Sequence, residues 1–237
     1  IKVHTQYDVR TSIPVFVHIT PGSIHDVHAM DELIYEQDSF YVFDRGYMDF
    51  ERLFVIHQSK SYFVIRAKNN LQFKRQYSSA IDKSTGVLCD QTGELKGFYS
   101  GKEYPEKLRR IKFHDEEQKR TFVFLTNNLN LKPEEIAALY KYRWKVELFF
   151  KWIKQHLKIK SFWGTTENAV KTQVYIAVIT YTLVAIVRQH LKTEYTTYEV
   201  LQILGSSLLD KTHINQLLKK QKDQDVKELF HNQLKIW

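Results

Sequence analysis

Residues 39–43, Ser-Phe-Tyr-Val-Phe, form a short apolar run that stops at Asp44-Arg45-Gly46, and this run constrains the fold more than any other stretch. Apolar at consecutive positions, it reads as a strand covered on both faces, as sheets are when helices lie on either side. The flanking pattern agrees. Ile1 to Thr20 alternates apolar and polar residues around Asp8-Val-Arg-Thr-Ser12, which predicts two strands and a tight turn. Asp26 to Ile34 predicts a helix with Ser23 or Asp26 as its cap, Tyr47 to Gln58 has helical spacing, and residues 61–67 predict another strand. The order strand, strand, helix, strand, helix, strand points to the α/β class.

From Leu71 to about Asn130 the texture changes. Gly86, Gly93, Gly97 and Gly101 separate alternating stretches such as Arg110–His114 and Arg120–Leu125, predicting a β-rich insertion. Lys132-Pro-Glu-Glu135 is a helix start, with Pro in the first turn and acids facing the positive helix end. That helix is expected to run through about Lys160, with two or more further helices over 167–222, interrupted near Gly205. The expected organisation is a first core part over 1–70, the insertion over 71–130, a core helix over 131–165 and a C-terminal helical region over 166–237. Only 4 prolines and 8 glycines are present, too few for a long flexible linker, so the parts are expected to pack against each other. The apolar run at 173–187 is 15 residues long, shorter than the ~20 that a membrane span needs, and reads as a buried core helix. No membrane association is expected. The start has no Met, basic n-region or apolar h-region, so it is not a signal peptide and reads as a chain entered in mid-strand. Lone Cys89 and the absence of C-x-x-C suit a reducing, cytoplasmic setting.

Lys plus Arg number 35 against 27 Asp plus Glu, a net charge of +8, which suits a polyanionic partner as well as it suits a merely basic soluble protein. The distribution says more than the total. Between Tyr140 and Lys160 the bases are Lys141, Arg143, Lys145, Lys151, Lys154, Lys158 and Lys160, against the single acid Glu147. On a continuous helix Tyr140, Arg143, Glu147, Lys151, Lys154 and Lys158 share one stripe, while Leu139, Tyr142, Val146, Phe149, Phe150, Ile153 and Leu157 face the other way. One reading is an exposed i, i+4, i+8 salt-bridge ladder worth ~0.3–0.5 kcal/mol per pair. The ladder leaves the excess of bases unexplained. The other reading is a cationic field suited to phosphates, in which an ionised carboxylate is available to hold a divalent metal. Asp44 is the natural companion acid, because it ends a buried strand and ligands favour the carboxyl ends of strands in α/β sheets. Gly46 beyond it is expected to let the chain turn sharply. The alternative is that Asp44 pairs with Arg45 or caps the next helix.

The spacing Tyr140-x2-Arg143-x3-Glu147-x6-Lys154 resembles the signature of a large subgroup of bacterial insertion-sequence transposases of the DDE type, and Asp44-Arg-Gly-Tyr47 resembles the block around their second catalytic aspartate. Phe63-Val-Ile-Arg-Ala and Phe124-Leu-Thr-Asn look like the strands that flank the β insertion in that family. The resemblance covers essentially the whole chain. It implies a ribonuclease-H-like core and metal-dependent cleavage and strand transfer of transposon-end DNA in cut-and-paste transposition. It implies a two-metal site for Mg²⁺ or Mn²⁺ with Asp44 as the second acid and Glu147 as the third, and it implies that Tyr140, Arg143 and Lys154 grip phosphates. Trp144 and Lys151, on or beside the same stripe, join them as DNA contacts. The partners implied are terminal repeats, target DNA and a second copy of the protein in a synaptic complex. No residue matches the family's first aspartate; Asp8 stands at the hairpin turn and Asp26 at a helix start. The metal site is therefore expected to be incomplete and this chain by itself catalytically impaired. The rival readings are a non-catalytic DNA-binding remnant and an RNA-binding α/β module.

Other signals carry less. Gly97 to Lys102 has three residues between its glycines where a phosphate loop has four, and no Ser or Thr follows the Lys. His25 and His28 lack a third ligand nearby for zinc. Lys107 to Phe113 mixes four bases with apolar residues and suits either a DNA-facing strand or a charged sheet edge.

Overall fold

The computed structural model describes residues 1–157, 159, 161–209 and 211–218; Lys158, Lys160 and the polar tail lie outside the described residues. The chain divides into two compact units, one of residues 1–7 and 15–149, the other of residues 8–14 and 150–237.

The alternation over Ile1 to Thr20 becomes a two-stranded sheet of β1 (Lys2–Asp8) and β2 (Ile13–Thr20). The helix expected after Pro21 is a 3-10 helix, Asp26–Glu32, and neither Ser23 nor Asp26 caps it; His25 occupies the N-cap without a side-chain bond. Asp26 takes Lys2 Nζ at 2.9 Å instead.

The buried run becomes β3 (Phe40–Phe43), parallel to β4 (Tyr62–Arg66), with Phe40 opposite Tyr62 and Phe43 opposite Ile65. Between them a 3-10 turn, Arg45–Tyr47, precedes α1 (Phe50–Gln58), which starts later than the spacing suggests because Asp49 caps it through the Arg52 amide. The strands of the glycine-spaced region join the same sheet. β5 (Phe73–Ser78), β6 (Val87–Leu95), β7 (Leu108–Asp115) and β8 (Arg120–Thr126) give the order β3-β4-β8-β7-β6-β5, all antiparallel except β3 with β4. A short helix, α2 (Phe98–Glu103), joins β6 to β7. β5 is an edge strand whose register on β6 slips between Arg75 and Tyr77. Opposite it, a Cβ on Gly93 would sit 2.2 Å from the Lys74 carbonyl oxygen, so only glycine fits there.

β4 has helices over both faces. Phe63 and Ile65 pack with Leu53 and Ile56 of α1, while Val64 packs with Ile136 and Ala137 of α3 (Pro133–Lys141) and with Phe124 of β8. Burial of each Val, Leu, Ile or Phe among them contributes roughly 1.5–3 kcal/mol, and it explains why β4 reads as an unbroken apolar run. Pro133 starts α3, where the Lys132 amide donates to Glu135 Oε2 at 2.8 Å. The mixed sheet with helices on both faces is the α/β, ribonuclease-H-like arrangement.

The single helix expected from Pro133 to about Lys160 is in fact two, α3 and α4 (Trp144–His156). At the junction, Arg143 N donates to Tyr140 O at 3.1 Å and Val146 N to Arg143 O at 3.3 Å, a three-residue spacing that tightens the coil. The extra rotation breaks the continuous wheel. Tyr142, expected on the apolar side, is exposed, and Tyr140, expected on the basic stripe, is buried.

The second unit contains the rest of α4, α5 (Glu167–His190), α6 (Thr197–Ser206) and α7 (Ile214–Leu217). The interruption expected near Gly205 is the end of α6, whose last turn holds Gly205, before α7 starts at Ile214. At 24 residues, α5 extends well beyond the apolar run and reaches membrane-crossing size by length and composition. Val174, Ala177, Val178, Tyr181, Val184 and Ala185 are buried, while Ile176, Ile179, Leu183 and Ile186 are exposed. The core-helix expectation holds for one side of α5.

Candidate functional site

Asp44 is the first residue beyond β3, at the carboxyl end of the parallel pair. Its Oδ1 accepts from the Arg45 amide at 2.7 Å, and its carbonyl oxygen accepts from the Tyr47 amide at 3.0 Å, closing the 3-10 turn. The capping role is real, but it uses a single carboxylate oxygen. Gly46 does not supply left-handed backbone to this turn; among the described glycines only Gly86 has a positive φ. A Cβ on Gly46 would lie 3.8 Å from Asp26 Oδ2, an ordinary contact, so the sharpness comes from the 3-10 hydrogen bonds.

Glu147 lies in the first turn of α4. Arg143 Nη1 stands 2.6 Å from Glu147 Oε1 and 3.8 Å from Asp44 Oδ2, so carboxylates from distant parts of the sequence meet at one guanidinium nitrogen. Burial opposes the charge on Arg143, but the Glu147 hydrogen bond together with Tyr140 and Asp44 outweighs it and holds the guanidinium above its ordinary pKa. Its Nε is buried and has no hydrogen-bond partner among the described residues.

The Tyr140 ring is seated against Phe122 and Phe124, with centroids 6.2 and 4.7 Å away, and the Arg143 guanidinium lies 5.8 Å from its centre. Burial, and then the negative charge of Asp44, push the Tyr140 hydroxyl above the usual phenol range, so it stays protonated and able to donate. Trp144, Lys151 and Lys154 are exposed. Lys151 and Lys154 follow Glu147 along α4 at i+4 and i+7 and belong to the second compact unit.

Sequence reasoning passed over Arg66, His4 and Thr20, and gave Tyr47 no role. Arg66 follows Ile65 as Asp44 follows Phe43, so the parallel register carries a cation to the same end of the sheet as the acid. Its guanidinium lies 5.2 Å from the Phe122 ring centre, and its charge acts on the Tyr140 hydroxyl. Two apolar runs, each ending in a charged residue, are the signal that would have found it. Among the described residues, no group of three or more His, Cys, Asp or Glu converges as a metal site. The donors that do meet are carboxylate oxygens, the kind that Mg²⁺ and Mn²⁺ prefer, and both already face one cationic group, the Arg143 guanidinium.

Comparison with known proteins gives a consistent picture. The family model described as "Transposase DDE domain" matches residues 1–183. A protein of Sinorhizobium fredii named as a transposase, y4zB, is 36% identical over 189 residues, covering 78% of this chain and 52% of that relative. A Geobacillus stearothermophilus protein named as the transposase of insertion sequence element IS5377 is 34% identical over 185 residues, covering 77% of this chain and 48% of its own length. One from Synechocystis, named for insertion sequence element IS4SA, is 27% identical over 222 residues, with coverages of 89% and 60%. The chain spans about half the length of the first two relatives.

Proposed function

The chain belongs to the transposase DDE domain family, and on that premise we propose that it carries two of the three metal-binding acids, Asp44 and Glu147, of an insertion-sequence transposase that cleaves transposon ends and joins them to target DNA. The observation that carries this reading is the meeting of both carboxylates at Arg143 Nη1. DDE transposases use divalent metal ions. When bound, Mg²⁺ or Mn²⁺ supplies Lewis-acid activation of the attacking oxygen and charge stabilisation at the leaving one. Asp44 and Glu147 would hold it, since both present carboxylate oxygens to one point.

The chain's own residues do the rest. Arg143 faces both carboxylates with one guanidinium nitrogen and, once they are engaged elsewhere, turns its guanidinium to a backbone phosphate. Tyr140, seated on the sheet, offers a protonated hydroxyl, and Trp144, Lys151 and Lys154 grip the strand along α4. The partners are transposon-end and target DNA, held by two copies of the protein in a synaptic complex. With two acids of three, cleavage by the 237-residue chain alone is expected to be weak.

The test is cleavage of DNA carrying the sequences that flank the gene, with Mg²⁺ or Mn²⁺, by the protein as encoded and by its Asp44→Asn and Glu147→Gln variants. Each variant should lose cleavage by more than ~100-fold while fluorescence anisotropy reports retained DNA binding. Full cleavage by either variant rejects the assignment.

A further inference from the structure

The turn that presents Asp44 is poorly supported by its own backbone. It is a three-residue 3-10 turn, Arg45–Tyr47, with Arg45 and Gly46 exposed, and such turns have weaker hydrogen-bond geometry than an α-helix. Tyr47 is its one anchored residue. The Tyr47 ring lies 6.0 Å from Phe43 and edge-on to His4 at 6.4 Å, and its hydroxyl is 3.1 Å from His4 Nδ1. His4 is buried on β1, and its Nε2 lies 3.0 Å from the hydroxyl of Thr20, buried at the end of β2.

We propose that His4 is a positioning residue for the metal site: through the Tyr47 hydroxyl it holds the Arg45–Tyr47 turn, and with it Oδ2 of Asp44, at the height of the Arg143 nitrogen that Glu147 also approaches. The inference rests on the reading of Asp44 as a metal-binding acid. Chemistry suits the role. Burial holds His4 below its ordinary pKa; Asp26 opposes this, while His18 and Lys2 reinforce it. A neutral imidazole has one donor and one acceptor nitrogen, so the Thr20 contact at Nε2 and the Tyr47 contact at Nδ1 fix each other. A ligand-bearing turn pinned from behind by a satisfied buried network is the arrangement by which outer groups orient metal ligands.

The bland alternative is that the network only glues the hairpin down. Tyr47→Phe removes the hydroxyl and keeps the ring. His4→Asn keeps a polar atom where Nδ1 was and drops the one at Nε2, whereas His4→Gln does the reverse. The probe is Mn²⁺ alone, titrated into the 237-residue chain and followed by water-proton relaxation, with urea midpoints measured beside it. We expect Tyr47→Phe and His4→Gln to weaken Mn²⁺ binding about 10–100-fold, and His4→Asn to stay within a few-fold of the parent, with His4→Asn and His4→Gln sharing similar urea midpoints. Unchanged Mn²⁺ affinity in Tyr47→Phe, or equal losses in His4→Asn and His4→Gln, overturns the proposal. Asp44→Asn separates the two levels: if it leaves Mn²⁺ binding intact, the reading of Asp44 fails and the positioning role with it, whereas loss in Asp44→Asn without loss in Tyr47→Phe removes the positioning role alone.

Discussion

Arg109 and Arg143 both hold carboxylates within the first unit, but in surroundings that differ in burial and in completeness. Arg109 on β7 and Asp90 on β6 have side chains 7% and 3% exposed; Nε and Nη2 reach Oδ1 and Oδ2 at 2.8 and 2.7 Å, and Nη1 reaches the Leu131 carbonyl at 2.5 Å. Each edge of that guanidinium is engaged, and the pair clamps the sheet to the loop that leads into α3. Arg143 is 26% exposed, between Glu147 at 42% and Asp44 at 49%, with Nη1 shared between them and Nε unpartnered among the described residues. A saturated pair is fixed in place. An incomplete and reachable one is suited to exchanging partners, which is what a site for metal and phosphate requires.

The sharpest way to break that contrast is to empty one side of each pair. Asp90→Ala leaves Arg109 buried and uncompensated, and should cost roughly 3–5 kcal/mol in urea unfolding. Glu147→Gln should change stability by no more than ~1 kcal/mol, as for half-exposed pairs generally. Equal losses would mean that Arg143 is a clamp as well. A smaller effect sharpens the phosphate side of the comparison. Lys154→Ala should flatten the slope of log DNA affinity against log salt by about one and weaken binding alike on all sequences, as loss of one phosphate contact does. A slope identical to the parent's would remove Lys154 from the strand-gripping set. The smallest effect concerns a third polar cluster, buried like Asp90–Arg109 but neutral. His4 is held below its ordinary pKa of 6.5 in the folded chain, so on acidification the unfolded state takes up its proton first. The contribution is present above that pH and is lost as pH falls through the folded value. Thermal melts at descending pH should show that decline, and His4→Asn should remove this part of it.

Much of the fold is written locally. The hairpin, β3 and β4 follow from alternation and from apolar runs, and Asp44 and Glu147 stand out because one ends a buried strand and the other sits alone among cations. The junction between α3 and α4 was not legible, because residues 133–157 contain neither glycine nor a second proline and keep a helical period throughout. What tightens the coil is remote: Tyr140 seats on Phe122 and Phe124 of β8, while Arg143 turns to Glu147 and Asp44. Gly46 misled for a similar reason. Glycine permits a left-handed turn without requiring one, and the 3-10 hydrogen bonds of the Asp44 turn make it unnecessary. In α5 the residues are apolar nearly all round, so periodicity by itself does not say which side is covered.

The outermost strand has a practical consequence. β5 exposes Lys74, Arg75 and Gln76 along the rim, and the slip between Arg75 and Tyr77 leaves its amides and carbonyls out of step for an incoming ribbon. Like charge and misfit together discourage a neighbouring molecule from zipping on there. When newly made copies crowd together, fibrous stacking at that border is therefore disfavoured.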